Sequence, residues 1–223
     1  MTMLGQGVYR LSEVIQYTGL PASTVRAWFK WRAGKNGRGP LFQSDFQTIG
    51  GDYAVSFLNL IDACVAGFLR EQGVSPAMIR RAYVILQAEL HTPHPFAHAD
   101  LRTDGDRIIR QKLDAERNLA LVDVVSRQMW FSQMRDRLKG VVYAKATRLA
   151  QEWNIARGVI IRPDVGFGRP VIKGTGIATY VVANQYRANG NDAARVAGLF
   201  NLKVADVRNA VRFESGLKHQ KAA

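Results

Sequence analysis

A single cysteine, Cys64, occurs in 223 residues, so no intramolecular disulfide can brace this chain. It lies in the apolar run Phe57–Leu69, where a small buried side chain is expected. Met1 to Val8 has neither the basic nor the apolar region of a secretory leader. No apolar run approaches the ~18 residues of a membrane span. A reducing cytoplasm is therefore the expected location, with no membrane partner. Low-complexity linkers and close internal repeats are also missing. Acid is scarce: 18 Asp and Glu stand against 31 Lys and Arg, a net charge of +13. An excess of that size points to a polyanionic partner rather than to an enzyme for neutral substrates.

Catalytic groupings are equally scarce. No Ser/His/Asp set and no close carboxylate pair stands out in a Gly-rich turn, so the chain reads as a non-enzyme without a cofactor. Gly168 to Thr175 has the glycines of a phosphate loop, but Lys173 precedes Gly174 where a Walker motif needs Lys after Gly. Gly166-x-Gly168 lacks the third glycine of a dinucleotide site. His91, His94 and His98 are close, yet Pro93 and Pro95 separate them and no Cys joins them, so no metal is expected. Trp28, Trp31, Trp130 and Trp153 read as core or interface residues.

What charge there is lies unevenly. Residues 1–90 carry 9 Lys and Arg against 6 Asp and Glu, residues 91–154 carry 11 against 8, and residues 155–223 carry 11 against 4. Positions 21–40 hold Arg26, Lys30, Arg32, Lys35 and Arg38 with no acid. Two basic foci result, one toward each end.

Periodicity predicts a short helix that Ser12 can cap, with Leu11, Val14 and Ile15 inward and Gly19 ending it. Pro21 and Ser23 restart a second helix, where Val25, Trp28 and Phe29 recur at i, i+3 and i+4. Ala33–Gly39 reads as a loop and Leu41–Tyr53 as short strands or irregular chain. Phe57–Glu71 reads as a helix stopped at Gly73, and Ser75-Pro76 opens another to about Leu90. His94–Leu101 and Arg107–Arg110, around Thr103-Asp104-Gly105, predict a hairpin. Ala115–Gln151 reads as mostly helical and Arg157–Ile161 as a strand.

In the first pair of helices, Val14, Ile15, Leu20, Val25 and Trp28 or Phe29 form the inner side. Ser23, Thr24, Arg26, Ala27 and Lys30 then fall on the outer face at ~100° per residue. Small polar residues there can approach base edges, and Arg can pair with guanine O6 and N7. Arg32, Lys35 and Arg38 follow at once and are placed for phosphate contact. This segment, with Gly73-Val74-Ser75-Pro76-Ala77-Met78-Ile79-Arg80 at the start of a later helix, resembles the winged helix-turn-helix head of MerR-type regulators. The likeness covers about residues 8–90.

The second constellation begins with a Gly/Pro-rich stretch around an extended piece, Pro170–Ile172. Three helices are predicted, near Ala178–Ala188, Ala193–Phe200 and Val204–Phe213, with Asn191 or Asp192 capping the middle one. Leu199, Phe200, Leu202, Val207, Ala210 and Val211 would close their core. Lys203, Asp206, Arg208, Asn209 and Arg212 would face outward on the last helix. The run Gly168, Arg169, Pro170, Ile172, Lys173, Gly174 and Thr175 resembles the antitoxin-like domain, formerly of unknown function, of VapB-type antitoxins. Gly190, Val196, Leu202, Val207 and Val211 fit its helical part. Gly176 departs from it, standing where that family usually has Arg.

The expected fold is mainly α with small β elements. Residues 1–90 form a MerR-like winged helix-turn-helix, 91–154 a β-hairpin with helices that connect or dimerise, and 155–223 a trihelical, helix-turn-helix-like domain with a basic tail. The resemblance implies an antitoxin that pairs with a PIN-like ribonuclease toxin and represses its own operon. A homodimer joined through Phe57–Leu90 or Leu119–Leu149 would read an inverted repeat in double-stranded DNA. Lys218 and Lys221 of the tail could pair with the toxin's carboxylates. The alternatives are a stand-alone MerR-like regulator sensing a small ligand and an architectural DNA-binding protein of a mobile element.

Overall fold

The computed structural model describes residues 6–30, 39–46, 53–101 and 138–222. Among them the chain is mostly helical, with two small antiparallel sheets. It opens on β1 (Tyr9–Arg10), paired with β2 (Ala54–Val55), and passes into α1 (Leu11–Thr18) and α2 (Ala22–Phe29). The helix start is one step earlier than Ser12. Glu13 reaches back to accept the Arg10 amide at 2.8 Å, so Ser12 lies inside the helix, exposed. Gly19 ends α1 at φ 71°, a left-handed conformation that glycine adopts without steric cost.

Val14, Leu20, Val25, Trp28 and Phe29 are buried in the larger core, and Ile15 packs on its edge. Their platform is α3 (Phe57–Glu71), which Ser56 caps by accepting the Asn59 amide at 3.1 Å. Gly67 lets Leu20 lie against this helix: a Cβ there would stand 2.6 Å from Leu20 Cδ2. Eleven of the fifteen residues of α3 are buried within the chain, which leaves α4 as the more exposed part of the Phe57–Leu90 stretch expected to dimerise. Gly73 turns the chain at φ 82°, and α4 (Pro76–Glu89) follows under a Ser75 cap.

The hairpin expected from His94 is absent at its first strand. Pro95–Ala97 is a 3-10 turn, because the Asp62 carboxylate accepts the amides of Phe96 and Ala97, each at 3.1 Å, and so draws the backbone around itself. Arg107–Arg110 lies outside the described residues. The helix expected to reach Gln151 is also replaced over its described end. There β3 (Val141–Tyr143), all β-branched or aromatic, pairs antiparallel with β4 (Ala150–Ala156).

The strands continue in order as β5 (Val159–Ile161) and β6 (Val171–Ile172), all antiparallel. Residue 154 lies inside β4, so the sheet runs unbroken across the position where the charge balance changes. The seam between the packing units is later. Ile161 belongs to the larger core, whereas Ile172 belongs to a second core with Val182, Val196, Ala197, Val207 and Ala210.

That second core is enclosed by α5 (Thr179–Ala188), α6 (Ala193–Phe200) and α7 (Val204–Ala222). Asp192 caps α6, accepting the amides of Ala194 and Arg195 at 2.9 and 3.0 Å. Two expectations need correcting. Leu199 is 61% exposed instead of buried, because Val196 and Ala197 already fill the inward side of this short helix. The last helix runs past Phe213 to Ala222, with Gly216 inside it.

Candidate nucleic-acid interface

The outer side of α2 exposes Ser23, Arg26 and Lys30, while Thr24 and Ala27 between them are half-buried. The Lys30 ammonium sits 5.0 Å from the Tyr53 ring centroid, which anchors it beside β2. Arg32, Lys35 and Arg38 lie outside the described residues. The helix is held rigid from beneath: Trp28 and Phe29 pack on Phe42 at ring separations of 5.8 and 5.4 Å, and the Phe42 amide donates to the Trp28 carbonyl.

The chain after the basic stretch is pinned as well. Arg80 of α4 donates to the carbonyls of Gly39 and Pro40, both at 2.8 Å. Asn59 of α3 donates to the Gln43 carbonyl at 3.1 Å and accepts the Asp45 amide at 3.1 Å. A cavity of about 530 Å³ lies between this loop and α4, lined by Leu41, Gln43, Asp45, Tyr83, Gln87 and Pro93 among others.

Beneath the loop lies a buried ionic relay that sequence reasoning missed. His94 Nδ1 stands 2.7 Å from Asp62 Oδ2, and its Nε2 stands 3.0 Å from Asp45 Oδ1. Both ring nitrogens face acceptors, so the ring keeps both protons. Burial opposes that charge, but the hydrogen bonds the ring donates to Asp45 and Asp62 outweigh it and push the imidazolium up to about 9. Burial likewise works to raise the Asp45 carboxyl, yet the hydrogen bonds from His94 and Ser56 prevail and hold it low. Complete burial raises Asp62 despite His94, Tyr83 and the Ala97 amide. Asn59 and Asp62 were legible as polar residues inside an apolar run, three apart on one helix face, and a buried polar group requires partners.

The histidines otherwise separate. His98 Nδ1 is 3.7 Å from Asp100 and His91 is exposed. No group of three or more candidate metal ligands occurs among the described residues.

At the other end, most of the Gly168–Thr175 motif builds a turn. Pro170 accepts the Thr179 amide at 3.0 Å, and Ile172 pairs with Ile177 across the turn. Gly174 takes φ 80°. Thr175 staples the turn by donating from Oγ1 to the Ile172 carbonyl at 3.0 Å and accepting the Ile177 amide at 3.1 Å. Lys173 donates to Asn154 Oδ1 at 2.7 Å, and Arg169 lies over Tyr180. Gly168 is closed against the head: Tyr9 Oη donates to its carbonyl at 2.8 Å. Gly176 stands in open space.

On α7, Arg208 and Arg212 are exposed, as is Lys203 just before it. Asp206 and Asn209 are half-buried, and Asn209 turns toward the β4–β5 connection, where a Cβ on Gly158 would stand 3.0 Å from Asn209 Nδ2. α7 also packs on α1, so the two helix pairs share one scaffold.

Residues 159–213 match a family described as a protein of unknown function, DUF433, which fits a small C-terminal domain. A crystal structure of Rv2018 from Mycobacterium tuberculosis shares the fold with a TM-score of 0.71 at 22% identity, over 91% of this chain and 96% of that one. No curated protein matches. No helix of the described residues is long and apolar enough to cross a membrane.

Proposed function

We propose that this chain is the antitoxin of a type II toxin–antitoxin pair, which neutralises a PIN-like ribonuclease toxin and represses its own operon. The observation that carries the DNA-binding half is α2: Ser23, Arg26 and Lys30 are exposed on a helix whose opposite side is locked into the core. A MerR-like head would set this helix in the major groove, with Arg26 on a guanine edge and Arg32, Lys35 and Arg38 on phosphates. The antitoxin half rests on the Gly168–Thr175 motif and its resemblance to VapB-type antitoxins. Lys203, Arg208 and Arg212 supply a second basic face, for DNA or for the toxin's carboxylates.

A homodimer would read an inverted repeat, through a contact outside α3. The outer side of α4 is available, where Val84 is 58% exposed. Co-expression with the product of the adjacent reading frame tests the whole reading. Growth arrest by that product alone, relieved by this chain in a stable complex, is the expected result. Footprinting of the promoter should show protection at one symmetric site, whereas uniform coverage would favour an architectural protein.

One observation favours a second reading. The cavity of about 530 Å³ against the Pro40–Asp45 loop has the size of a small-molecule site, as a stand-alone regulator with an effector would need. Absence of any toxin, with operator binding intact, would support it.

A further inference from the structure

Gly166, Phe167 and Gly168 occupy the left-handed region in succession, at φ 59°, 57° and 79°. Two glycines do so without steric cost, but a phenylalanine does not. Among the described residues the ring is left largely in the open. Phe167 is 87% exposed, the most exposed large hydrophobic side chain among the described residues.

The turn is held from both sides. Gly168 donates to the Val165 carbonyl at 3.0 Å and Arg169 to the Gly166 carbonyl at 3.1 Å. A Cβ on Gly168 would meet Tyr9 Oη at 2.5 Å, and one on Gly166 would meet Val171 Cγ1 at 3.0 Å. Two residues on, the Arg169 guanidinium lies 5.6 Å from the ring centroid of Tyr180, which is 42% exposed.

We propose that Phe167, Arg169 and Tyr180 anchor a protein partner that offers an apolar pocket rimmed by carboxylates. The inference rests on the antitoxin reading, since it makes the adjacent gene's product that partner. Strain kept at an exposed aromatic residue is the mark of a functional position. Aromatic and Arg side chains held in place before binding are the usual centres of protein interfaces.

A nucleic acid fits the patch less well. Arg162, five residues before Phe167, is already matched by Asp164 at 2.6 Å, and the exposed Phe167 ring offers a phosphate no donor. The rim is acidic by complementarity. Among the described residues Arg169 hydrogen-bonds a neutral hydroxyl and no carboxylate, and residues 155–223 carry 11 Lys and Arg against 4 Asp and Glu.

The test is Phe167→Gly in the full chain, with Arg169→Ala and Tyr180→Ala beside it. Thermal stability, self-association, operator affinity and affinity for the purified neighbour are measured together. Phe167→Gly should melt no lower than wild type and keep its oligomeric state and operator affinity. It should lose about 100-fold in partner affinity, as truncation of an interface anchor does. Each of the other two substitutions should lose about tenfold. Undiminished partner binding by Phe167→Gly would overturn the patch and leave the antitoxin reading standing. A loss confined to operator affinity or to self-association would assign the patch to DNA or to a second copy and overturn it equally. If the wild-type chain binds no neighbour, the patch and the antitoxin reading fall together.

Discussion

Gly168→Ala places a methyl group where the two halves of the chain close on each other. Three costs follow. At φ 79° an alanine pays about 1–2 kcal/mol of backbone strain. The new Cβ would lie 2.5 Å from Tyr9 Oη and 3.0 Å from the Gly7 Cα, an overpacking worth about 1–3 kcal/mol. Relieving it moves Tyr9 off the Gly168 carbonyl, which forfeits a buried hydrogen bond of about 1 kcal/mol. These overlap, so the expected loss is about 3–5 kcal/mol, or roughly 6–20 °C in Tm for a chain of 223 residues.

Urea denaturation of four proteins separates the contributions. Tyr9→Phe alone should cost about 1 kcal/mol, the hydrogen bond only. In that background the added methyl no longer meets a hydroxyl, so Gly168→Ala should cost at least about 1 kcal/mol less than in wild type. Equal cost in both backgrounds would refute the steric argument. A Gly168→Ala protein as stable as wild type would refute the close approach altogether.

Arg26→Ala should weaken operator binding by about 1–3 kcal/mol and relax base preference, read by titration against operator and scrambled duplex; unchanged affinity would remove Arg26 from the interface. Asp192→Ala should cost about 1 kcal/mol by uncapping α6, visible as a lower urea midpoint with the slope unchanged. The His94 relay makes stability pH-dependent. The folded imidazolium is pushed up to about 9, so its contribution is complete below about pH 6.5 and is lost as pH rises through 9. Tm should therefore fall between pH 7 and 9.5, and Asp45→Asn, which removes one of the two carboxylates, should flatten that slope; a parallel slope in the variant would place its origin elsewhere.

Local pattern was enough for the helices whose signals are local. The alternation of Val14, Leu20, Val25 and Trp28, the Ser75-Pro76 start and the Asp192 cap each act within a turn or two of chain, and each appears where periodicity put it. The exposed sides of α2 and α7 were legible for the same reason, because a helix's outward residues follow from its inward ones. Asn209 and Leu199 were misplaced because their surroundings come from the β4–β5 turn and from how little of α6 the small core can cover.

The chain by itself determined its charge, most of its helix boundaries and the exposed basic faces of its helices, since these depend on neighbours in sequence. Only the tertiary structure decided the rest. Asp62 meets His94 across 32 positions and bends Pro95–Ala97 into a 3-10 turn in place of the expected strand. Tyr9 meets Gly168 across 159 positions and joins head to tail. Such contacts satisfy buried polar groups at a distance, and no local periodicity encodes which partner will arrive.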